Sequence, residues 1–214
     1  MDIDILNINI GFISKNKGKI YSGLLSYIEK NKEIIMFQKH PLGFKYFKLG
    51  HISSFEEFRL HFWINTNEKH DNDLQIHDHS FDFESFVLNG SIINNKYEII
   101  KSENLFGYVY DVKFRNEKSK LILNTDNCSI NQIETDKVNC GEFYDMRSNV
   151  FHESINNQDL TITLLKITKS GDKISRVFSP KKLRSLSSFE RSTLTAEENI
   201  KLIDKIIELT QNKE

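Results

Sequence analysis

Between Tyr46 and Phe178 the chain is written almost entirely in short alternating runs broken by turn residues, which leaves few folds open to it. In Phe58-Arg59-Leu60-His61-Phe62-Trp63-Ile64, an extended backbone puts Phe58, Leu60, Phe62 and Ile64 on one face. Arg59, His61 and Trp63 then share the other. Further strand candidates lie at 74–79, 82–93, 96–101, 105–114, 119–124, 128–134, 141–146, 158–168 and 173–178. Turn residues separate many of them: Asn89-Gly90, Asn94-Asn95, Asn124-Thr125-Asp126-Asn127, Asn156-Asn157 and Ser170-Gly171-Asp172. A series of half-apolar strands this short buries its faces only as a sandwich or a barrel. The expected fold class is therefore mainly β.

The flanks read differently. Ile3, Ile5, Ile8 and Ile10 are read as a strand, and Tyr21, Leu24, Leu25 and Ile28 predict a helix over at least Ile20 to Asn31. His40-Pro41-Leu42-Gly43-Phe44 reads as a turn. At the other end a helix is expected from about Ala196 to Leu209, opened by a Thr195/Glu198 capping box. Ile200, Leu202, Ile203, Ile206, Ile207 and Leu209 are its expected apolar face. The organisation is thus an N-terminal helical and strand extension (1–50) packed on a β-barrel (51–180), then a loop and helix (181–214).

Charge narrows the function classes. Lys and Arg number 29 against 30 Asp and Glu, so no basic excess points to nucleic acid as partner. No apolar run approaches the ~20 residues of a spanning helix. Met1-Asp2-Ile3-Asp4 lacks the basic and apolar regions of a signal peptide, so a cytoplasmic protein without membrane association is expected. Cys128 and Cys140 lack CxxC spacing and are expected as free thiols. Sixteen Phe against one Trp suggest a core or pocket rich in phenylalanine.

His77-Asp78-His79 carries the chemistry. Two histidines one residue apart face the same way on a strand. A third from a later strand, His152, would complete a set of imidazoles on one side of a metal, leaving the other side open to water, oxygen or substrate. The spacing extends further. His77-x-His79 is followed by four residues, Glu84, five residues and Gly90. Gly141-x5-Arg147-x-Asn149-x2-His152-x3-Asn156 lies downstream.

These two stretches resemble the paired motifs of the cupin superfamily, over roughly residues 55–168. The family's Pro and Gly are replaced by Arg147 and Asn149, and asparagine tolerates a left-handed turn best after glycine. His77 to Ser85, with Val87, Leu88 and Gly90, looks like a subgroup of uncharacterised bacterial and phage cupins. The resemblance implies a double-stranded β-helix, the jelly-roll barrel, with a metal on His77, His79, His152 and Glu84. Three departures matter. Asp71 stands where the family has a glycine. The interval from His79 to His152 is long and implies an extra hairpin. Strict alternation points Phe83 and Ser85 inward and Glu84 outward, so Glu84 is a ligand only if a bulge intervenes. A three-histidine set without it is similar to the thiol dioxygenases among the cupins, which use iron, although their Cys-Tyr crosslink pair cannot be located here.

The resemblance implies a metal-dependent enzyme acting on a small polar metabolite, first as an Fe(II) dioxygenase or oxygenase, with Mn, Ni or Zn as other metals. The alternatives are a metal-dependent isomerase or lyase, a non-catalytic small-molecule-binding cupin, and a structural accessory barrel. Cupins often dimerise through their sheets, so a homodimer is expected. Arg147, Arg59 and Arg115 are candidates for gripping a carboxylate or phosphate, Arg147 first because it lies five residues before His152. Tyr144, with Tyr108 and Tyr110, is a candidate for positioning substrate or donating a proton, against simple cross-strand packing. Asp78 and Asp82 are read as outward-facing or bonded to loop backbone, with ring orientation as the other role. His61 faces pocket or surface; His40, His51 and His70 are assigned no role. Lys181 to Arg184 reads as a solvated loop.

Overall fold

Helices, not a strand, open the chain: α1 (Ile3–Ser14) and α2 (Lys17–Asn31). The structure, a computed structural model, describes residues 2–64, 74–101, 103, 106–115, 118–169, 173–183 and 188–213. The expected strand at Ile3 to Ile10 is corrected because its spacing fits a helix better. Ile5, Ile8 and Phe12 fall on one buried helical face, while Ile3 and Ile10 point outward. The Asp2 carboxylate caps the helix by accepting from the Asp4 N–H at 2.7 Å. Burial of that face overrides the β preference of isoleucine.

Twelve strands follow: β1 (Gln38–Lys39), β2 (Lys45–His51), β3 (Glu56–Ile64), β4 (Phe81–Asn89), β5 (Ser91–Lys101), β6 (Gly107–Arg115), β7 (Lys118–Asn139), β8 (Phe143–Met146), β9 (Phe151–Ile155), β10 (Leu160–Lys169), β11 (Arg176–Ser179) and β12 (Ser188–Glu190) among the described residues. They form two antiparallel sheets, ordered β1-β2-β3-β10-β4-β8 and β11-β6-β7-β5-β9, with β12 beside β7. The fold is mainly β, with helices flanking it. α3 (Ala196–Gln211) closes the chain, and its Thr195/Glu198 capping box forms as expected.

The alternation in β3 decides which way the first sheet faces. Phe58, Leu60 and Phe62, with Phe86, Leu88, Ile162 and Leu164, meet Ile5, Phe12, Leu24 and Ile28 of α1 and α2 and Leu202 and Ile206 of α3. Phe12 lies 5.2 Å from Phe58, and Phe37 lies 5.1 Å from Phe62 edge-on. Asn199 ties α3 down by accepting from the Phe37 N–H (2.8 Å) and donating to the Ile35 carbonyl (2.5 Å). Ile200, expected on the apolar face, is exposed. With one face of the sheet covered by helices, Arg59, His61, Trp63, Phe83 and Leu165 line a cavity on the other.

Two expected turns are absent. Asn94-Asn95 lies inside β5, where Asn94 is buried and its side chain accepts from Ser154 Oγ at 2.7 Å. Partnered asparagines can stay in a strand. β7 runs straight through Asn124 to Asn127, pairing with β6 by its first half and β5 by its second. The local signal becomes a register irregularity, with Asn127 at φ 53°. The expected turn at Ser170-Gly171-Asp172 lies outside the described residues, as do His70 and Asp71. His40 to Phe44 does turn: Gly43 has φ 93°, and the His40 N–H donates to the Phe44 carbonyl at 2.8 Å. Gly90 (φ 77°) makes the β4–β5 hairpin, where a Cβ would sit 2.5 Å from Thr161 Oγ1. Cys128 and Cys140 are free thiols. Among the described residues no helix is long and apolar enough to cross a membrane.

Candidate metal centre

The three histidines meet because an irregular segment, 76–78, is hydrogen-bonded between β9 and β11. The His77 N–H donates to the His152 carbonyl (2.9 Å), and the His152 N–H returns to the His77 carbonyl (2.8 Å). On the other side Asp78 N–H donates to Arg176 O (2.9 Å) and Phe178 N–H to Ile76 O (2.8 Å). Extended alternation carries His79 to the same side as His77. Its carbonyl accepts from the Asn149 N–H at 3.0 Å. Asn149 is left-handed (φ 64°), a conformation that asparagine tolerates best after glycine.

The ring centroids of His77, His79 and His152 lie 4.6 to 5.0 Å apart. One ligand nitrogen from each falls within 4.8 Å of the others, so the group is close enough to hold a metal ion. Backbone carbonyls orient two of the rings. His77 Nδ1 lies 2.8 Å from Gln75 O, and His152 Nδ1 lies 3.0 Å from Val150 O. A carbonyl only accepts, so each Nδ1 carries the proton and each Nε2 keeps its lone pair for a ligand. Burial pushes all three imidazoles below their usual range, His152 to about 3. They are neutral near pH 7, as a metal requires. Three neutral nitrogens accommodate several divalent metals, and the donor set does not choose among them.

The triad lines a cavity of about 360 Å³, within the size range of ligand sites. Its walls include Phe44, Trp63, Phe81, Phe83 and Tyr144, which accounts for part of the phenylalanine excess. Phe83 lies edge-on to His79 at 5.4 Å, and Phe81 stacks on it at 4.7 Å.

The other expected site residues divide. Glu84 is outside the cluster. No bulge interrupts the pairing of Phe83, Glu84 and Ser85 with β8 or β10, so Glu84 faces away and pairs with Lys15. Glu84→Gln should leave metal content unchanged by elemental analysis; a clear loss of metal would return Glu84 to the ligand set. Arg147 is exposed and pairs with Asp82 at 3.4 Å, off the cavity. Asp82 accepts from the Ser148 N–H at 2.7 Å, and this bond holds its carboxyl below the usual range. Arg59 lies in the cavity wall, its Nε 2.6 Å from Glu57 and its guanidinium 5.3 Å from the centre of the Phe81 ring. Tyr144 also lines the cavity, and burial raises its phenol to about 12, so it keeps its proton. Tyr110 belongs to a separate cluster and accepts from the Leu183 N–H at 2.8 Å. The Arg115 side chain lies outside the described residues.

Asp78 turns away from the rings and is 1% exposed. It accepts from the Arg176 N–H (2.5 Å), Nε (2.7 Å) and Nη2 (2.5 Å), pinning the histidine segment to β11. Asp78→Ala leaves Arg176 without its partner and frees the segment. A loss of about 3 kcal/mol is expected by denaturant unfolding, the low end for breaking a buried pair because Arg176 is partly exposed. A loss under about 1 kcal/mol would mean the pair does not anchor the site.

Four cavity residues carried no functional assignment from sequence. His61 was legible as the face of β3 opposite the core. His40 stacks on Phe44 at 4.2 Å, and Phe44 in turn on His61 at 4.6 Å. Arg176 opens β11, inside the strand expected at 173–178, whereas Arg191 sits in a segment without periodic pattern. Compared with models of known families and with curated proteins, the chain shows no match.

Proposed function

We propose that this chain is a metal-dependent enzyme of cupin type, an Fe(II) oxygenase acting on a small polar molecule held in the aromatic cavity. The observation that carries this reading is the convergence of His77, His79 and His152, neutral and with two rings already oriented by backbone carbonyls. A metal on these nitrogens supplies a Lewis acid and, as iron, a redox centre with positions left for substrate and oxygen. The chain's own groups do the rest. Phe81, Phe83 and Trp63 keep water from the reacting atoms. Tyr144, protonated at neutral pH, offers a hydrogen-bond donor in the cavity. The two antiparallel sheets, the glycines at 90 and 141 and the left-handed Asn149 support the jelly-roll reading.

The test is elemental analysis of anaerobically purified protein, followed by Fe(II) reconstitution and oxygen-electrode assays with small carboxylic acids. About one metal per chain and acid-dependent oxygen uptake are expected. Failure to retain any divalent metal after reconstitution overturns the reading. Metal-dependent turnover without oxygen uptake replaces the oxygenase with an isomerase or lyase.

A further inference from the structure

Positive charge along the cavity is unevenly compensated. Of the arginine side chains described, Arg59 is paired with Glu57, Arg147 with Asp82 and Arg176 with Asp78. Arg191 lines the cavity and has no carboxylate partner among the described residues. Its guanidinium lies over the rings of Phe114 (4.6 Å) and Tyr46 (5.8 Å) and makes a long contact, 3.5 Å, to the Tyr46 hydroxyl. Its Nε is buried with no hydrogen-bond partner. The backbone around it is fixed. Lys39 N–H donates to Ser192 O (2.8 Å), and Leu194 N–H to Phe37 O (2.9 Å). A buried donor left unpaired is costly, and the natural complement of a guanidinium fork is a carboxylate.

The neighbouring wall is aromatic, its rings tilted to one another. Phe44 packs 4.5 Å from Trp63 and 4.6 Å from His61. His61 is 8% exposed and makes no hydrogen bond with the described residues. Burial keeps it neutral, with a pKa of about 3, so it offers one donor and one acceptor without adding charge. Lys113 and Lys173 also line the cavity but are exposed to solvent, so with Arg59 and Arg176 already neutralised the buried part of the wall suits a single negative charge.

We infer that the cavity binds a planar monocarboxylate, an aromatic or heteroaromatic acid, with its carboxylate in the fork of Arg191 and its ring against Phe44 and Trp63. This rests on reading the cavity as the substrate site and names the substrate class. The chain's one tryptophan, Trp63, stands in that wall and reports occupancy by its fluorescence.

The experiment titrates benzoate into the full chain after chelation, so that no metal can hold the carboxylate. Saturable change in Trp63 fluorescence is expected, confirmed by calorimetry. Benzamide, of the same shape without charge, should bind roughly tenfold or more weaker. Arg191→Gln should weaken benzoate by a similar factor, Arg191→Lys by less, and Arg147→Gln not at all. Equal binding of benzoate and benzamide by the wild type overturns the inference without any variant. So does unchanged benzoate binding in Arg191→Gln, absence of benzoate binding by calorimetry, or tighter binding of cyclohexanecarboxylate or phenylphosphate. Metal content is measured separately. Arg191-dependent benzoate binding in a chain that retains no metal sinks the enzyme reading and leaves this one standing; retained metal with Arg191-independent benzoate binding does the reverse.

Discussion

Alanine at His77, His79 or His152 is expected to strip the chain of metal while leaving it folded. With three protein ligands, loss of any one leaves two nitrogens. Removing even a group that only orients a ligand costs 10–100-fold in affinity, and losing a ligand itself costs more. The fold should survive because these rings line the cavity and lie outside the core shared by the helices and the first sheet. The bonds that place them, His77 N–H to His152 O and its reciprocal, are backbone bonds that alanine keeps. Circular dichroism and elemental analysis of each variant beside the wild type check both halves. Metal content that is unchanged in all three variants would show that the metal sits elsewhere or nowhere. A loss in only one would show that the other two rings serve another purpose.

Much of this centre was legible because its signals are local. Extended backbone puts His77 and His79 on one side, although the strand expected at 74–79 is an irregular segment with bridges only at His77, and asparagine at 149 permits the turn that brings β9 back beside them. Alternation alone also placed Glu84 outward and His61 opposite the core. What failed were inferences from nearness in sequence. Arg147, five residues from His152, lies on a turn that faces solvent, whereas Arg191, much further along the chain, reaches the cavity. Its position follows from the pairing of 192–194 with 37–39, and no periodicity announces such a contact. His40 enters in the same way, through a turn that stacks it on Phe44. The opening isoleucines misled because branched residues favour strands until a buried helical face and a cap outweigh the preference. Asn94 and Asn124 misled because partners in the sheet satisfied side chains that usually mark turns, Asn94 by Ser154 and Asn124 by Asp111.

Acid should destabilise the metal-free chain well before its carboxylates titrate. His61 and His152 have pKa values of about 3 in the fold against an ordinary 6.5, and burial is the main cause for both. His40, His77 and His79 are lowered too, again mainly by burial. A lowered histidine means that the unfolded chain binds the proton and the folded one does not. Stability therefore falls as pH drops below about 6.5 and goes on falling to about 3. At pH 5 a histidine so shifted costs about 2 kcal/mol relative to neutral pH. His61 and His152 together then cost about 4 kcal/mol, a large part of an ordinary domain's margin. Denaturant unfolding of the chelated protein at pH 7, 6 and 5 measures this. A His61→Phe variant removes one of the titrating groups without touching the triad, and its stability should fall less steeply by about one proton. Stability that is flat from pH 7 to pH 5 would mean that water reaches these rings freely, and the buried histidine wall on which the oxygenase reading depends would go with it.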